Sequence, residues 1–266
     1  MMEYGFEGKT VLVTGGTSGI GLAAAKLFWA DGAAKVFILG RSLERGEEAL
    51  SLISRSVDSC AGGECGEETE ERLYYVQADV ARVEDCHDAA ALIGELAGKI
   101  DVLVNCAGIY EEKRLENVTE ADYARMMDTN VKGAVFMTQA CQSLLGEGAV
   151  IVNVASDAGV NGNYGCPLYC ASKGALVTLT KALALDMAPS VRVNCVCPAD
   201  VDTPLVARQL EAADGGYTRE DMGQSYPLGR IARPEEVAHV IGSVASPANS
   251  FMTGSVILVD GGLTAQ

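Results

Sequence analysis

The chain has 266 residues, 20 of them basic and 36 acidic, for a formal net charge of −16, with 48% hydrophobic and 21% charged residues. That balance belongs to a chain that builds a core and not to a disordered one, and at about 100–200 residues per domain the length suits one large domain or two small ones. The acidic excess argues against binding a nucleic-acid backbone, which needs clustered Lys and Arg. Apolar runs such as Val11–Val13 and Ala149–Val152 fall far short of the ~20 residues that cross a bilayer. Neither nucleic acid nor membrane is expected as a partner.

In chain order, short β-rich runs alternate with longer helical patterns. Lys9–Thr14 predicts a strand, and Gly19–Asp31 a helix with Leu22, Ala25, Lys26 and Trp29 at helical spacing. Lys35–Leu39 predicts a second strand, followed by a helix through about Val57. Leu73–Gln77, Ile100–Asn105 and Gly148–Val154 read as further buried strands, with long helices at Val83–Ala97 and Thr119–Leu145. A helix at Leu168–Met187, a strand at Val191–Cys197, a helix from Pro234 and a last strand at Ser255–Val259 complete the series. Such alternation implies βαβ crossovers: an α/β fold with a doubly wound parallel sheet and helices on both faces. No linker or repeat divides the chain, so one domain spanning residues 1–266 is expected.

Two segments break the rhythm. Ser54–Glu71, rich in Glu, Gly and Ser, reads as a mobile acidic loop. Asp200–Arg233 leaves the C-terminal edge of the sheet, where open α/β folds bind ligands, and reads as a substrate lid. The cysteines number nine, and the opening Met1-Met2-Glu3-Tyr4-Gly5 shows no secretory pattern, so reduced thiols and a cytoplasmic location are expected. Cys60 and Cys65 have no histidine nearby and supply too few ligands for a zinc site. The two histidines, His87 and His239, fall on polar-faced helices, Val83–Ala97 and Pro234–Ala245. So little histidine argues against a Ser-His-Asp hydrolase and against a His-bound catalytic metal.

Thr14-Gly15-Gly16-Thr17-Ser18-Gly19-Ile20-Gly21 follows the first strand and opens the first helix. Gly15 permits the tight turn, Gly19 lets backbone approach a pyrophosphate, and Gly21 lets helix and strand pack closely. The helix N-terminus, with Thr17, Ser18 and Ile20 around it, then offers unpaired N–H groups to phosphates. About 20 residues on, where an NAD site usually carries Asp or Glu, the chain has Leu39-Gly40-Arg41-Ser42. A carboxylate would repel a 2′-phosphate, whereas the Arg41 guanidinium pairs with one, so NADP(H) is favoured over NAD(H). Asp79 and Val80 end the third strand at the expected adenine position, with Asp79 an acceptor for the amino group.

Tyr169-Cys170-Ala171-Ser172-Lys173 opens a helix, and the spacing of four places phenol and ammonium on one helical face. A free tyrosine titrates near ~10. A neighbouring Lys173 cation is expected to lower that value and make Tyr169 a usable acid or base. Ser156, at the end of the strand preceding this helix, is placed to donate a hydrogen bond to a substrate oxygen.

With these residues the chain resembles the classical short-chain dehydrogenases/reductases. The matches run nearly end to end: Thr14–Gly21, Asn105-Cys106-Ala107-Gly108, Asn130, Ser156, Tyr169 with Lys173, Pro198 and Val259-Asp260-Gly261-Gly262. The resemblance implies a Rossmann-like fold, Tyr169 as proton donor and acceptor, Ser156 as the group polarising a carbonyl, and Lys173 as ribose ligand and modulator of Tyr169. Asn130, in the long helix, would hold a water of a proton relay. Asn105, Ala107 and Gly108 would line the cofactor cleft, with Pro198 and Thr203 beside the nicotinamide. A homotetramer with contacts through Thr119–Leu145 and Leu168–Met187 is implied likewise. Three departures stand out: Cys106 replaces a second Asn, Ala199 replaces Gly after Pro198, and Cys166 and Cys170 flank Tyr169. A positive φ at Ala199 would be strained; Cys166 and Cys170 read as small apolar fillers, with oxidation of a thiol so near the site as the alternative.

Fold and mechanism do not choose the substrate. The candidate classes are a β-ketoacyl group on a carrier protein, a sugar or polyol, and a steroid or bile acid. An acidic carrier protein is repelled by a chain of this charge; the segments Ala134-Val135-Phe136-Met137 and Leu183-Ala184-Leu185-Asp186, which resemble the presenting helices, carry no basic residue. Leu205, Val206, Leu210, Tyr217, Met222 and Tyr226 in the lid, with Tyr164 and Leu168, supply apolar surface suited to a hydroxysteroid. The rival from another class is a non-catalytic, nucleotide-sensing scaffold, against which the complete Asn130, Ser156, Tyr169 and Lys173 set argues.

Overall fold

The computed structural model describes residues 3–58, 72–212 and 216–265. Seven short runs rich in Val, Ile and Leu form the strands β1 (Thr10–Thr14), β2 (Lys35–Gly40), β3 (Leu73–Gln77), β4 (Ile100–Asn105), β5 (Leu145–Val154), β6 (Val191–Pro198) and β7 (Val256–Val259). They pair in parallel in the order β3-β2-β1-β4-β5-β6-β7. The strand order reverses between β1 and β4, which opens a crevice at the carboxyl edge there. The register brings Thr14 beside Leu39 on one side and Asn105 on the other, with Asn105 beside Asn153. The strand ends that carry the predicted site residues therefore share one edge.

Side chains alternate across the sheet. Val11, Val13, Ile38 and Val104 pack on one face with Phe28 of α1 (Gly19–Ala30), Ile53 of α2 (Leu43–Asp58) and Ile241 of α9 (Pro234–Ala245). Leu12, Phe37 and Leu103 pack on the other with Ile93 of α3 (Val83–Ala97) and Met137 of α5 (Gly133–Cys141). Each such side chain, buried on folding, contributes about 1.5–3 kcal/mol of transfer free energy. Between the layers runs a buried polar chain: the Asn105 side-chain amide donates to Thr138 at 3.1 Å and to Asn153 at 2.9 Å, and Asn153 donates to Thr180 at 2.9 Å. It ties the ends of β4 and β5 to α5 and to α6 (Pro167–Asp186), fixing one strand that flanks the crevice and its neighbour.

The long helix expected over Thr119–Leu145 is divided. It comprises α4 (Glu120–Met127), a wide π-type turn at Asp128–Lys132, and α5. Thr119 and Asp122 start it with a reciprocal capping box. The strand expected from Gly148 begins earlier, at Leu145, and its pairing with β4 slips between Ile100 and Val102, because the apolar period resumes only at Ala149. The helix α2 continues through Asp58 into the segment expected to be loop; the rest of that segment, with Cys60 and Cys65, lies outside the described residues. The expected lid contains α7 (Pro204–Ala212) and α8 (Arg219–Gly223).

Candidate active site

The nucleotide turn is shaped by close approach. Gly15 has φ +67, and a Cβ there would lie 2.8 Å from the Ala107 Cα, so no other residue fits the turn. A Cβ on Gly21 would strike the Gly15 carbonyl, which is how α1 comes so near the turn. Thr14 holds the opposite wall: its hydroxyl accepts from the backbone N–H of Cys106 and of Ala107, each at 3.1 Å. Ser18 is the N-cap of α1 yet its side chain makes no capping bond, and the first turn has no acidic residue. That leaves the helix N-terminus, near Ile20 and Gly21, free for an anion. A phosphate-bearing cofactor fits this cradle.

At the end of β2, Gly40 packs against Thr17, whose methyl carbon would lie 2.7 Å from a Cβ on Gly40. Arg41 is exposed and its Nη1 lies 3.9 Å from the Asp79 carboxylate. The structure thus brings the expected 2′-phosphate reader and the expected adenine acceptor to one corner, with Ser42 accepting from the Arg45 N–H at 3.4 Å. Tyr75 organises this corner: its hydroxyl lies 2.8 Å from both the Gly40 and the Ser42 carbonyl oxygens. Sequence reasoning missed that role, because Tyr75 sits in β3 and reaches its partners only through the β2–β3 register. Val80 is buried against Gly133 of α5 and so positions backbone, not a polar group.

The second group converges from four elements. A Cβ on Gly108 would lie 3.3 Å from both the Asn130 side-chain oxygen and the Lys173 Nζ. Asn130 sits in the π-type turn, its Oδ1 accepting from the Ile109 N–H at 2.8 Å and its Nδ2 donating to the Ile109 carbonyl and Ser172 Oγ, each at 3.0 Å. Its side chain therefore clamps the loop after β4 to α6. Lys173 is buried, donates to the Val154 carbonyl at 3.0 Å, and has its Nζ 5.8 Å from the centre of the Tyr169 ring. Gly159, which sequence reasoning did not single out, allows this: a Cβ there would meet the Lys173 carbonyl carbon at 2.6 Å.

Two electrostatic details depart from expectation. The Ser156 hydroxyl donates to the Asp157 carboxylate at 2.8 Å, and Asp157 is buried beside it. Burial holds the Tyr169 phenol above its usual value, with Asp157, Cys166 and Asp200 pushing the same way and a hydrogen bond with Ser156 opposing. Burial and the neighbouring carboxylates thus prevail over the lowering expected from Lys173; the Lys173 ammonium is itself pushed down by burial. Asp200, raised by burial, accepts from the Tyr226 hydroxyl at 2.7 Å. Tyr110 meets the Tyr169 ring edge-on with centroids 4.9 Å apart.

On the lid side, Thr203 approaches the first turn of α1: its Cγ2 lies 3.0 Å from a Cβ position on Gly19. Pro198 ends β6 opposite Val259. Ala199 carries none of the feared strain, since no described residue other than glycine has a positive φ. Val206, Met222 and Tyr226 are buried in a cluster of the lid itself, with Ile231; Tyr164 is fully exposed. Part of the apolar surface expected to receive a steroid is thus consumed by packing. Among the described residues no group of three His, Cys, Asp or Glu is placed to hold a metal ion, and no helix is long and apolar enough to cross a membrane.

A parallel α/β sheet with a phosphate cradle at its switch point and a tyrosine–lysine helix beside it defines a nucleotide-dependent oxidoreductase. The family model described as enoyl-(acyl carrier protein) reductase matches residues 15–264. A meso-2,3-butanediol dehydrogenase of Serratia marcescens is 35% identical, covering 98% of this chain and 96% of its own. An NADP-dependent (R)-specific alcohol dehydrogenase of Lentilactobacillus kefiri is 36% identical, covering 98% of each. A crystal structure from Brucella melitensis, described as a short-chain dehydrogenase/reductase of the glucose/ribitol dehydrogenase type, superposes with a TM-score of 0.85 at 34% identity, covering 98% of this chain and 99% of that one. The chain belongs to the short-chain dehydrogenase/reductase family. It is an NAD(P)-dependent oxidoreductase acting on CH–OH groups.

Proposed function

We propose that this enzyme interconverts a neutral secondary alcohol and its ketone with NADP(H). The convergence of Gly108, Asn130 and Lys173 beside Tyr169, at the edge of the Gly15–Gly21 cradle, carries the assignment. The α1 N-terminus, Thr17, Ser18 and Gly19 would hold the pyrophosphate, Arg41 the 2′-phosphate, Asp79 and Val80 the adenine, and Pro198 and Thr203 the nicotinamide end. The bound dinucleotide supplies the hydride acceptor or donor. Tyr169 exchanges the proton of the carbinol oxygen. Ser156 hydrogen-bonds that oxygen once its hydroxyl turns from Asp157, and Lys173 holds the ribose and favours the phenolate. Asn130 spends its side chain on Ile109 and Ser172, so a relay water would rest on its backbone carbonyl.

Three observations shape the substrate. Asp157 and Asp200 lie close enough to Tyr169 to raise it, so a substrate carboxylate is disfavoured and a further hydroxyl is favoured. The buried lid cluster weakens the case for a hydroxysteroid. The charge of −16 weakens that for an acyl carrier protein. A small diol or polyol fits best.

The test is a fluorescence titration with NADPH and NADH, followed by oxidation assays on meso-2,3-butanediol, a hydroxylated bile acid and 3-hydroxybutyrate. Tight NADPH binding with preference for the diol is expected. Binding of neither nucleotide would reject the assignment, and turnover of the bile acid alone would restore the steroid. The tetramer implied by the family resemblance is checked by light scattering on the eluting protein.

A further inference from the structure

Cys166 and Cys170 flank Tyr169 and take no part in the proposed chemistry. Their sulfurs lie 3.8 Å apart, and one helical turn between them spans about 6 Å, within the roughly 4.4–6.8 Å that a disulfide bridges. Cys166 is the N-cap of α6, with φ −136 and ψ 48 outside the helical region, so its side chain is not committed to the helix. Cys166 is buried and Cys170 partly exposed. Both sulfurs crowd Asn163, whose N–H donates to Cys170 at 3.3 Å and whose carbonyl lies 3.7 Å from Cys166.

The remaining described thiols differ. Cys195 and Cys197 are as close, 3.7 Å, but both are wholly buried in β6, where no oxidant reaches. Cys86 and Cys141 are buried, and among the described residues no thiol is paired with the partly exposed Cys106.

We propose that Cys166 and Cys170 form a thiol–disulfide modification site for a small disulfide of the glutathione type. The Cys170 thiolate attacks the external disulfide and one glutathione thiol leaves. Cys166 then attacks the Cys170 sulfur, and the second glutathione leaves as thiolate and takes up the proton released by Cys166. The cysteine pair loses two electrons and two protons, and the external disulfide gains them. Cys166 reacts second, because burial pushes its thiol up to about 12, so closure speeds up as pH rises.

The bond reaches the reacting group through Tyr110. Tyr110 lies close enough to Cys166 for each to shift the other's titration, its ring packs edge-on against Tyr169, and it receives a 3.5 Å contact from Gln209 of α7. Drawing the Cys166 sulfur toward Cys170 disturbs the Tyr110 packing beside it and loosens the wall of Tyr169. This consequence, unlike the bond itself, rests on Tyr169 being the acid/base group.

The experiment treats the full-length protein with excess oxidised glutathione and maps its peptides by mass. The expected result is a linked Cys166–Cys170 peptide lacking two hydrogens, with Cys195 and Cys197 still free. Oxidation of meso-2,3-butanediol should fall roughly tenfold or more, recover with dithiothreitol, and be insensitive to oxidant in Cys170→Ala, with NADPH binding retained throughout. Free Cys170, or a lasting glutathione adduct on it without closure, would overturn the site. A closed disulfide with unchanged turnover would overturn its control of Tyr169. Because closure is read by mass without substrate, failure of the Tyr169 assignment leaves that reading intact.

Discussion

The two halves of the sheet edge solve different problems. Around β1 and β2 the protein presents backbone: Gly15 and Gly21 bring turn and helix into close approach, and the start of α1 has no side-chain cap on its N–H groups. Around β5 and α6 it presents side chains, packed and hydrogen-bonded in advance: Asn130 on Ile109 and Ser172, Lys173 on Val154, Ser156 on Asp157. On the proposed function, a cofactor common to many enzymes would be met by generic backbone, and the reaction by particular groups whose positions depend on several elements at once. Damage to the first half should therefore remove binding, and damage to the second should remove turnover while binding survives.

The largest expected effect is on the reaction side. Tyr169→Phe should lower turnover by on the order of 10²–10⁴-fold, the usual contribution of general acid–base catalysis, with NADPH affinity nearly unchanged by fluorescence titration. Full activity would mean that the proton passes elsewhere. Next, Arg41→Ala should weaken NADPH by about 10–100-fold, the ~1.5–3 kcal/mol of hydrogen bonds to a charged group. NADH should be spared; equal loss of both would blur the division at the β2 corner.

Gly159→Ala sharpens the comparison structurally. Its new methyl meets the Lys173 backbone, and overpacking of this kind costs about 1–3 kcal/mol, read as a lowered Tm. Turnover should fall while the nucleotide still binds, whereas Gly15→Ala should lose the nucleotide first. The smallest effect is a displacement. Burial, and after it Asp157, hold the Tyr169 phenol above its usual value, so its basic form accumulates only at high pH. Removing the charge with Asp157→Asn lowers the folded value, and the rising limb of alcohol oxidation should move to lower pH. An unmoved pH profile would show that Asp157 acts only by holding Ser156.

The same division governed what could be read in advance. The turn at Gly15–Gly21 and the Tyr169–Lys173 spacing are local, each held within one turn or one helix, and both were legible in place. The strand ends bearing Asn105, Ser156 and Pro198 were legible because continuous apolar runs mark buried parallel strands. The break at Asp128–Lys132 was not, since a wide turn leaves the helical apolar period almost untouched.

Sequence alone determined the alternation of strands and helices, the glycine turn and the spacing that sets Tyr169 and Lys173 on one helix, because local periodicity and fixed short spacings encode them. Only the tertiary structure decided that Asp157 takes the Ser156 hydroxyl, that the phenol of Tyr169 is raised, that Tyr75 holds the Arg41 corner, and that Val206, Met222 and Tyr226 of the lid pack together. The physical reason is that these depend on burial and on contacts between segments distant in the chain, where desolvation and neighbouring charge outweigh what a residue's type and spacing imply.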